Sequence, residues 1–249
     1  MSFDPSFNPS FCTDTSIQQV SPEPLLSEES APQRSTPLPP VHTSPHPCPL
    51  FWEALQSIDP HRNVLAYQQK QHIDLPPDQL FLICQGIVQM VTVHPDGTET
   101  ILGIAGSSGL LGTPLTKVTP YWAVALTNVL LFPLSWSDLE SSPILGNVLF
   151  RTILQRLQQS ESWLAVKGKR QVEDRLKSLL ILLAQEFGQA IDSQTIELKF
   201  SWTHQQMANA IGSTRVTVNR LLNQFKAEGW LHNQYRRWFI QRSRLKALQ

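Results

Sequence analysis

The stretch THQQMANAIGSTRVTVNRLLNQFK, Thr203–Lys226, constrains this chain more than any other. Thr203 followed by Gln206 fits a capping box, in which hydroxyl and amide satisfy backbone donors that the first helical turn leaves without partners. The spacing predicts a helix over His204–Ile211 with Met207, Ala210 and Ile211 facing inward. Gly212 permits a sharp turn, and Ser213 and Thr214 are both good N-caps for a second helix. On that helix Val218, Leu221, Leu222 and Phe225 recur at helical spacing and form one apolar face. Arg215, Asn219, Arg220 and Asn223 fall on the other side, with Val216 among them. Two short helices about a glycine turn have the form of a helix-turn-helix. The second helix carries what a major groove reads: Arg pairs bidentately with guanine, Asn with adenine, and a Val methyl packs on thymine. An ordinary hairpin with a solvated polar face shares the periodicity. The two caps bracketing the turn, and the basic surround, favour DNA.

The formal net charge is zero, but the charges are divided. From Arg151 onward there are 16 Lys and Arg against 7 Asp and Glu, whereas the first 150 residues hold 4 against 13. Only the C-terminal part therefore favours a polyanion. Cys12, Cys48 and Cys84 lie too far apart for a metal-ligand spacing, and no metal or other cofactor is expected. No leader pattern or long apolar run is present, which predicts a cytoplasmic chain with reduced thiols and no membrane partner.

Residues 1–49 carry 11 of the 19 prolines and little that would form a core, so this segment is expected to be a disordered tail. Its PLPP and HPCP runs have the form of polyproline docking segments, although a plain solvated tail is the simpler reading. Phe51–Ile58 reads as a short apolar helix. Strands follow at Val64–Tyr67, Leu80–Cys84, Ile87–Val93, Thr98–Ile104, Trp122–Ala125 and Val129–Leu134, separated by Gly, Pro, Asn and Asp turns. This pattern suggests an antiparallel barrel or jelly roll of about 80 residues. His72 and His94 lack the companions of a metal site, and Cys84 lacks a base, so it reads as a buried small hydrophobe.

Leu139–Leu164 turns helical, and Leu145 or Val148 with Leu149, Ile153, Leu157 and Leu164 forms a stripe suited to a second copy, with Trp163 beside it. Packing on the chain's own barrel gives the same stripe. A helix over Val172–Phe187 ends at Gly188, a C′ signal. Thr195–Phe200 is a strand. Gly229–Leu231 and Arg236–Ile240, joined by a turn at His232-Asn233-Gln234, read as a wing. There Arg236 and Arg237 either meet phosphates or are plain surface charge. The divisions expected are 1–49 tail, 50–137 roll, 138–170 dimerisation helix and 171–249 winged helix-turn-helix, an α+β chain.

A β-roll, a long helix and a C-terminal winged helix-turn-helix, in that order, resemble the Crp/Fnr family of transcription regulators. The resemblance spans Phe51–Leu248 and is sharpest at AIGSTRVTVNRLL, Ala210–Leu222; with LLILLAQEFG upstream it points to the cyanobacterial global nitrogen regulator branch. It implies a cyclic-nucleotide-binding-like roll, no enzyme activity, and a homodimer through the long helix. Two recognition helices about one duplex turn (~34 Å) apart would then meet a palindromic site on double-stranded promoter DNA, with RNA polymerase as a further partner. The family's base-reading positions fall on Arg215, Val216 and Arg220; Thr203, Gln205, Ser213, Thr214, Thr217, Asn219 and Arg236 complete the implied DNA contacts. Val216 stands where the cAMP receptor has a Glu that accepts from cytosine, which favours a GTA/TAC palindrome over TGTGA.

The sensor side departs from that pattern. Cyclic-nucleotide binders hold ribose and phosphate with Gly-Glu-Leu and a later Arg-Ser/Thr-Ala. Here the corresponding segments read Ser108-Gly109-Leu110-Leu111-Gly112 and Thr119-Pro120-Tyr121-Trp122-Ala123, without the Glu or the Arg. An anionic phosphate without its bidentate Arg loses a strong pairing, which argues against cAMP. The nitrogen-regulator branch holds 2-oxoglutarate by amides of the first segment, here Gly109, Leu110 and Leu111, by an Arg of the second, and by an Arg and a Glu of the long helix. Arg156 and Glu161 match the last two, but Thr119 replaces the other Arg. Two carboxylates facing one Arg are poorly neutralised, so Arg156 and Glu161 as a dimer-interface pair stands beside 2-oxoglutarate binding. Two other readings remain: an effector-independent regulator whose pocket is filled by side chains such as Trp122, with the tail recruiting a partner, and a remote cupin-like enzyme. The second lacks a ligand set or a nucleophile–base pair. Nothing supports haem or an oxygen-sensing cysteine cluster.

Overall fold

The alternating short strands close into two facing antiparallel sheets. The computed structural model describes residues 63–235 and 237–243; the tail, the helix expected at Phe51–Ile58 and Arg236 lie outside them. Strands β1 (Leu65–Tyr67), β8 (Val129–Leu134), β3 (Leu80–Gln85) and β6 (Leu110–Gly112) form one sheet in that order. Strands β2 (His72–Ile73), β7 (Trp122–Ala125), β4 (Val88–Val93) and β5 (Glu99–Ala105) form the other. The run Leu80–Ile83 does not alternate with polar residues because both of its faces are covered. Phe81 and Ile83 join Val88, Leu111 and Leu131 between the sheets, while Leu80 and Leu82 pack with Leu110, Leu139 and Leu145. Strands β2 and β6 escape the sequence pattern because they hold only two and three residues.

The helical stretch beyond the roll is two helices, α1 (Trp136–Ser141) and α2 (Pro143–Lys167), rather than one. Pro143 cannot donate to a preceding turn and starts a helix instead, with Ser142 as its cap. The expected stripe on α2 divides. Leu145 is fully buried and Leu149 half-buried against the roll, whereas Ile153, Leu157 and Leu164 are exposed. Thr152, Trp163 and Val166 continue the inward face.

Helix α3 (Val172–Phe187) buries Leu176, Leu179, Leu180 and Leu183. Gly188 ends it, but in extended conformation (φ −81°, ψ 146°) rather than the left-handed one a C′ glycine adopts. A Cβ there would collide with the Ala184 carbonyl and the Ile196 side chain, so close approach is what requires glycine. Gly188 opens β9 (Gly188–Ala190), which pairs with β10 (Thr195–Leu198). Helices α4 (His204–Ile211) and α5 (Arg215–Ala227) follow, then β11 (Leu231–Gln234) and β12 (Arg237–Gln241), and the third sheet runs β11-β12-β10-β9.

One apolar core joins this C-terminal head to the roll. Ile87, Val91, Ile101 and Ile104 pack in the same cluster as Trp163, the α3 leucines, Trp202, Met207 and Phe225. No helix among the described residues is long and apolar enough to cross a membrane.

Candidate nucleic-acid interface

The capping box at α4 forms as its residues dictate. Thr203 Oγ1 accepts from the Gln206 amide nitrogen at 3.2 Å, and Gln206 Oε1 accepts from the Thr203 nitrogen at 2.9 Å. Gly212 adopts the left-handed conformation (φ 60°, ψ 56°), and its amide donates to Ala208. Thr214 caps α5, its Oγ1 accepting from the Thr217 nitrogen at 3.2 Å and lying 3.0 Å from the Thr217 hydroxyl. Two capped helices are thereby set across a single left-handed residue.

Helix α5 separates its faces cleanly. Val218, Leu221, Leu222 and Phe225 are buried. Arg215, Asn219, Arg220 and Asn223 are exposed, and Val216 is 79% exposed. Among the described residues neither Arg215 nor Arg220 forms an ion pair. Thr203 and Gln205 are exposed at the start of α4, where the Gln205 amide donates to Asn209 Oδ1 at 2.7 Å, and Ser213 lies half-buried in the turn. Guanidinium, amide and methyl groups therefore share one open surface with helix N-termini that attract phosphate.

The wing differs from its expected register. His232, Asn233 and Gln234 are strand residues, and the turn falls at Tyr235 (φ 50°), which is 88% exposed. His232 stacks on its cross-strand partner Phe239, with ring centroids 4.7 Å apart and planes 5° from parallel. That pairing draws turn-forming residues into the ladder. Arg237 Nη1 lies 2.6 Å from Glu197 Oε1, so this arginine is already engaged within the sheet.

His204 was not legible as part of this surface. It packs near Trp238, with ring centroids 5.9 Å apart, and Lys226 Nζ sits over the same indole. Burial, with Lys226 and Arg215 nearby, holds its imidazole below the ordinary range, against a hydrogen bond to Asn219. Its place directly after the N-cap was the available signal.

The first sensor segment borders a cavity of about 360 Å³ between β5, the β5–β6 turn, α2 and the end of α3, whereas no residue of Thr119–Ala123 lines it. Gly109, Leu110, Thr152, Arg156 and Gln159 line it. Arg156 Nη1 and the Tyr121 hydroxyl are both buried, and the guanidinium lies beside the phenol. Burial raises the Tyr121 pKa while Arg156 opposes that shift. Leu111 packs instead in the core between the two sheets, because adjacent strand residues point to opposite faces. Glu161 is exposed and is not in the lining, since a separation of five residues turns it well away from Arg156 on one helix. Trp122, expected to fill this pocket, stands half-exposed on β7 with His72 edge-on to it at 6.4 Å. Cys84 is half-buried, and burial pushes its thiol up to about 11, as suits a packing residue.

Residues 174–249 match the family of the Crp-like helix-turn-helix domain. The chain is 33% identical over 162 residues to the global nitrogen regulator of Synechococcus elongatus, an alignment covering 61% of this chain and 72% of the relative. It is 31% identical over 183 residues to the regulatory protein CysR of the same organism, covering 71% and 82%. Its fold is similar to that of a CRP/FNR-family transcriptional regulator of Thermus thermophilus, with a TM-score of 0.61 at 22% identity, covering 75% of this chain and 97% of the other. With the roll, the long helix and the capped two-helix head all in place, the chain belongs to the Crp/Fnr family of transcription regulators.

Proposed function

We propose that this regulator works as a cytoplasmic homodimer that reads a palindromic promoter site, with α5 in the major groove. The observation that carries this reading is the outer face of α5, where a largely bare valine stands among exposed arginines that form no ion pair among the described residues. Arg215 and Arg220 meet guanine edges, Val216 a thymine methyl and Asn219 an adenine. Thr203, Gln205, Ser213, Thr214 and Thr217 meet the sugar-phosphate backbone. Arg236 is assigned the same role from the sequence. The exposed apolar line on α2 supports association through that helix, which sets two recognition helices about one duplex turn (~34 Å) apart. RNA polymerase is the partner that a promoter-bound regulator then contacts.

For the sensor, the missing Glu and Arg argue against cAMP. The Arg156 guanidinium, amide side chains and the backbone of Gly109, which line the cavity together, favour a small carboxylate such as 2-oxoglutarate there. Selection of random DNA by the purified chain, with and without 2-oxoglutarate, tests both parts. The expected outcome is a GTA/TAC palindrome bound more tightly with the metabolite. Enrichment of TGTGA would overturn the base assignment, no enriched site would overturn DNA reading, and an unchanged affinity would overturn 2-oxoglutarate as effector and leave an effector-independent or differently gated regulator.

A further inference from the structure

Gln89 is a polar residue 2% exposed on β4, which is unusual for an amide in an otherwise apolar face. Its Oε1 accepts from Trp202 Nε1 at 2.8 Å and from Gln206 Nε2 at 3.4 Å. Both donors belong to the head, and neither bond is local. Trp202 immediately precedes the α4 cap and is itself fixed. Trp163 and Phe200 pack edge-on against its ring at 6.1 and 5.7 Å, and the Trp238 indole donates to its carbonyl at 3.2 Å. Gln206 is the residue that closes the capping box with Thr203. A single oxygen on the roll thus holds both the approach to α4 and its first turn.

The base of this contact is rigid. Gln89 is paired on both sides, with Val124 of β7 and Ile104 of β5. Ile104 lies on the edge strand, and there the Gln159 side chain of α2 takes the place of a further strand. Its Oε1 accepts from the Ile104 nitrogen at 3.0 Å, and its Nε2 donates to the Ile104 carbonyl at 2.9 Å. The same Nε2 reaches Glu186 of α3 at 2.6 Å. The buried bond from Trp202 to Gln89 is costly to break from one side, because the abandoned indole N–H finds no water.

We propose that Gln89 is a positioning residue for DNA reading, fixing the angle of the head on the roll so that the dimer accepts only one half-site spacing. The inference rests on the homodimeric reading above. Changing a spacer by one base pair rotates one half-site against the other by about 34°. A head pinned at Trp202 and Gln206 does not follow that rotation, whereas a released head does.

The test uses the full-length chain and DNA duplexes of three kinds: one half-site, the selected palindrome, and palindromes with the spacer one base pair longer or shorter. Gln89→Leu is compared with Gln89→Leu/Trp202→Phe, which removes donor and acceptor together and avoids stranding the indole N–H. Gln89→Glu keeps the acceptor. The wild type is expected to discriminate between spacers by at least about tenfold, and both Leu variants by less than about threefold, with half-site affinity within about twofold. Gln89→Glu is expected to restore the discrimination. Equal losses on half-site and palindrome, or unchanged spacer discrimination in folded Leu variants, would overturn the positioning role. A wild type without any palindrome preference would overturn the homodimeric reading itself.

Discussion

Phe150 and Leu157 stand one heptad apart on a single exposed apolar line of α2. Phe150 is 62% exposed and Leu164, one heptad beyond Leu157, is 70% exposed. Leu157→Glu is expected to convert a dimer to a monomer in sedimentation equilibrium. It should weaken binding to a palindrome by at least about a hundredfold while sparing a half-site, because the second contact is no longer intramolecular. A dimer that persists would place the interface elsewhere.

Arg215→Ala and Arg220→Ala each remove an exposed guanidinium from the open face of α5. Each should cost about 1–3 kcal/mol on the preferred site and relax the preference at one position. Val216→Glu puts a carboxylate acceptor in place of methyl groups and is expected to shift selection toward a cytosine-containing half-site. Base-by-base competition titrations give the comparison; a uniform loss over all sequences would mean backbone contact only.

Thr203→Ala removes the hydroxyl that accepts from Gln206. The expected loss is about 1 kcal/mol in urea unfolding, the usual effect of a lost N-cap. No change in the midpoint would show that the head does not depend on its capping box.

Gly188→Ala and Gly212→Ala separate two reasons for glycine. At Gly212 no atom lies within 4 Å of an added Cβ, so only the left-handed backbone is strained, at roughly 1–2 kcal/mol. At Gly188 the backbone suits any residue, but Ala184 and Ile196 occupy the space. Gly188→Ala is therefore expected to be the more destabilising of the two in denaturant melts.

His204 links folding to pH. Its folded pKa is lowered, chiefly by burial, so the unfolded chain takes up the proton first. Stability from this group is present above the ordinary imidazole range (about 6.5) and is lost as pH falls through it. Urea midpoints measured between neutral and mildly acid pH should fall less steeply in His204→Asn than in the unaltered chain. Parallel slopes would remove His204 from the pH response.

The head was legible because its signals are local. Caps, a turn glycine and a helical apolar period act within a few residues, and Thr203, Gly212, Thr214 and the four buried positions of α5 stand where they were expected. The roll strands were legible from branched residues between turn signals. What the sequence does not carry is which of two apolar faces a partner takes. Leu145 and Leu157 look alike in a pattern, yet one packs on the roll and the other faces outward. The wing register likewise depends on a ring stacked across the ladder, and Glu161 leaves the cavity because of helical pitch. Gln89 reads as an ordinary polar residue in a strand until Trp202 is brought to it from a distant segment.

The core that runs unbroken from Ile101 and Ile104 to Trp202 and Phe225 bears on how heads are traded between relatives during evolution. A foreign reading head grafted after α2 would meet a roll shaped for another occupant, and the bare side of β4 and β5 would be left oily. On the reading proposed above, new target sites are reached more simply by rewriting Arg215, Val216 and Arg220, whose side chains stand exposed on α5. Regulators of this build should therefore diversify by changing a few letters on one helix, while head and roll are inherited together.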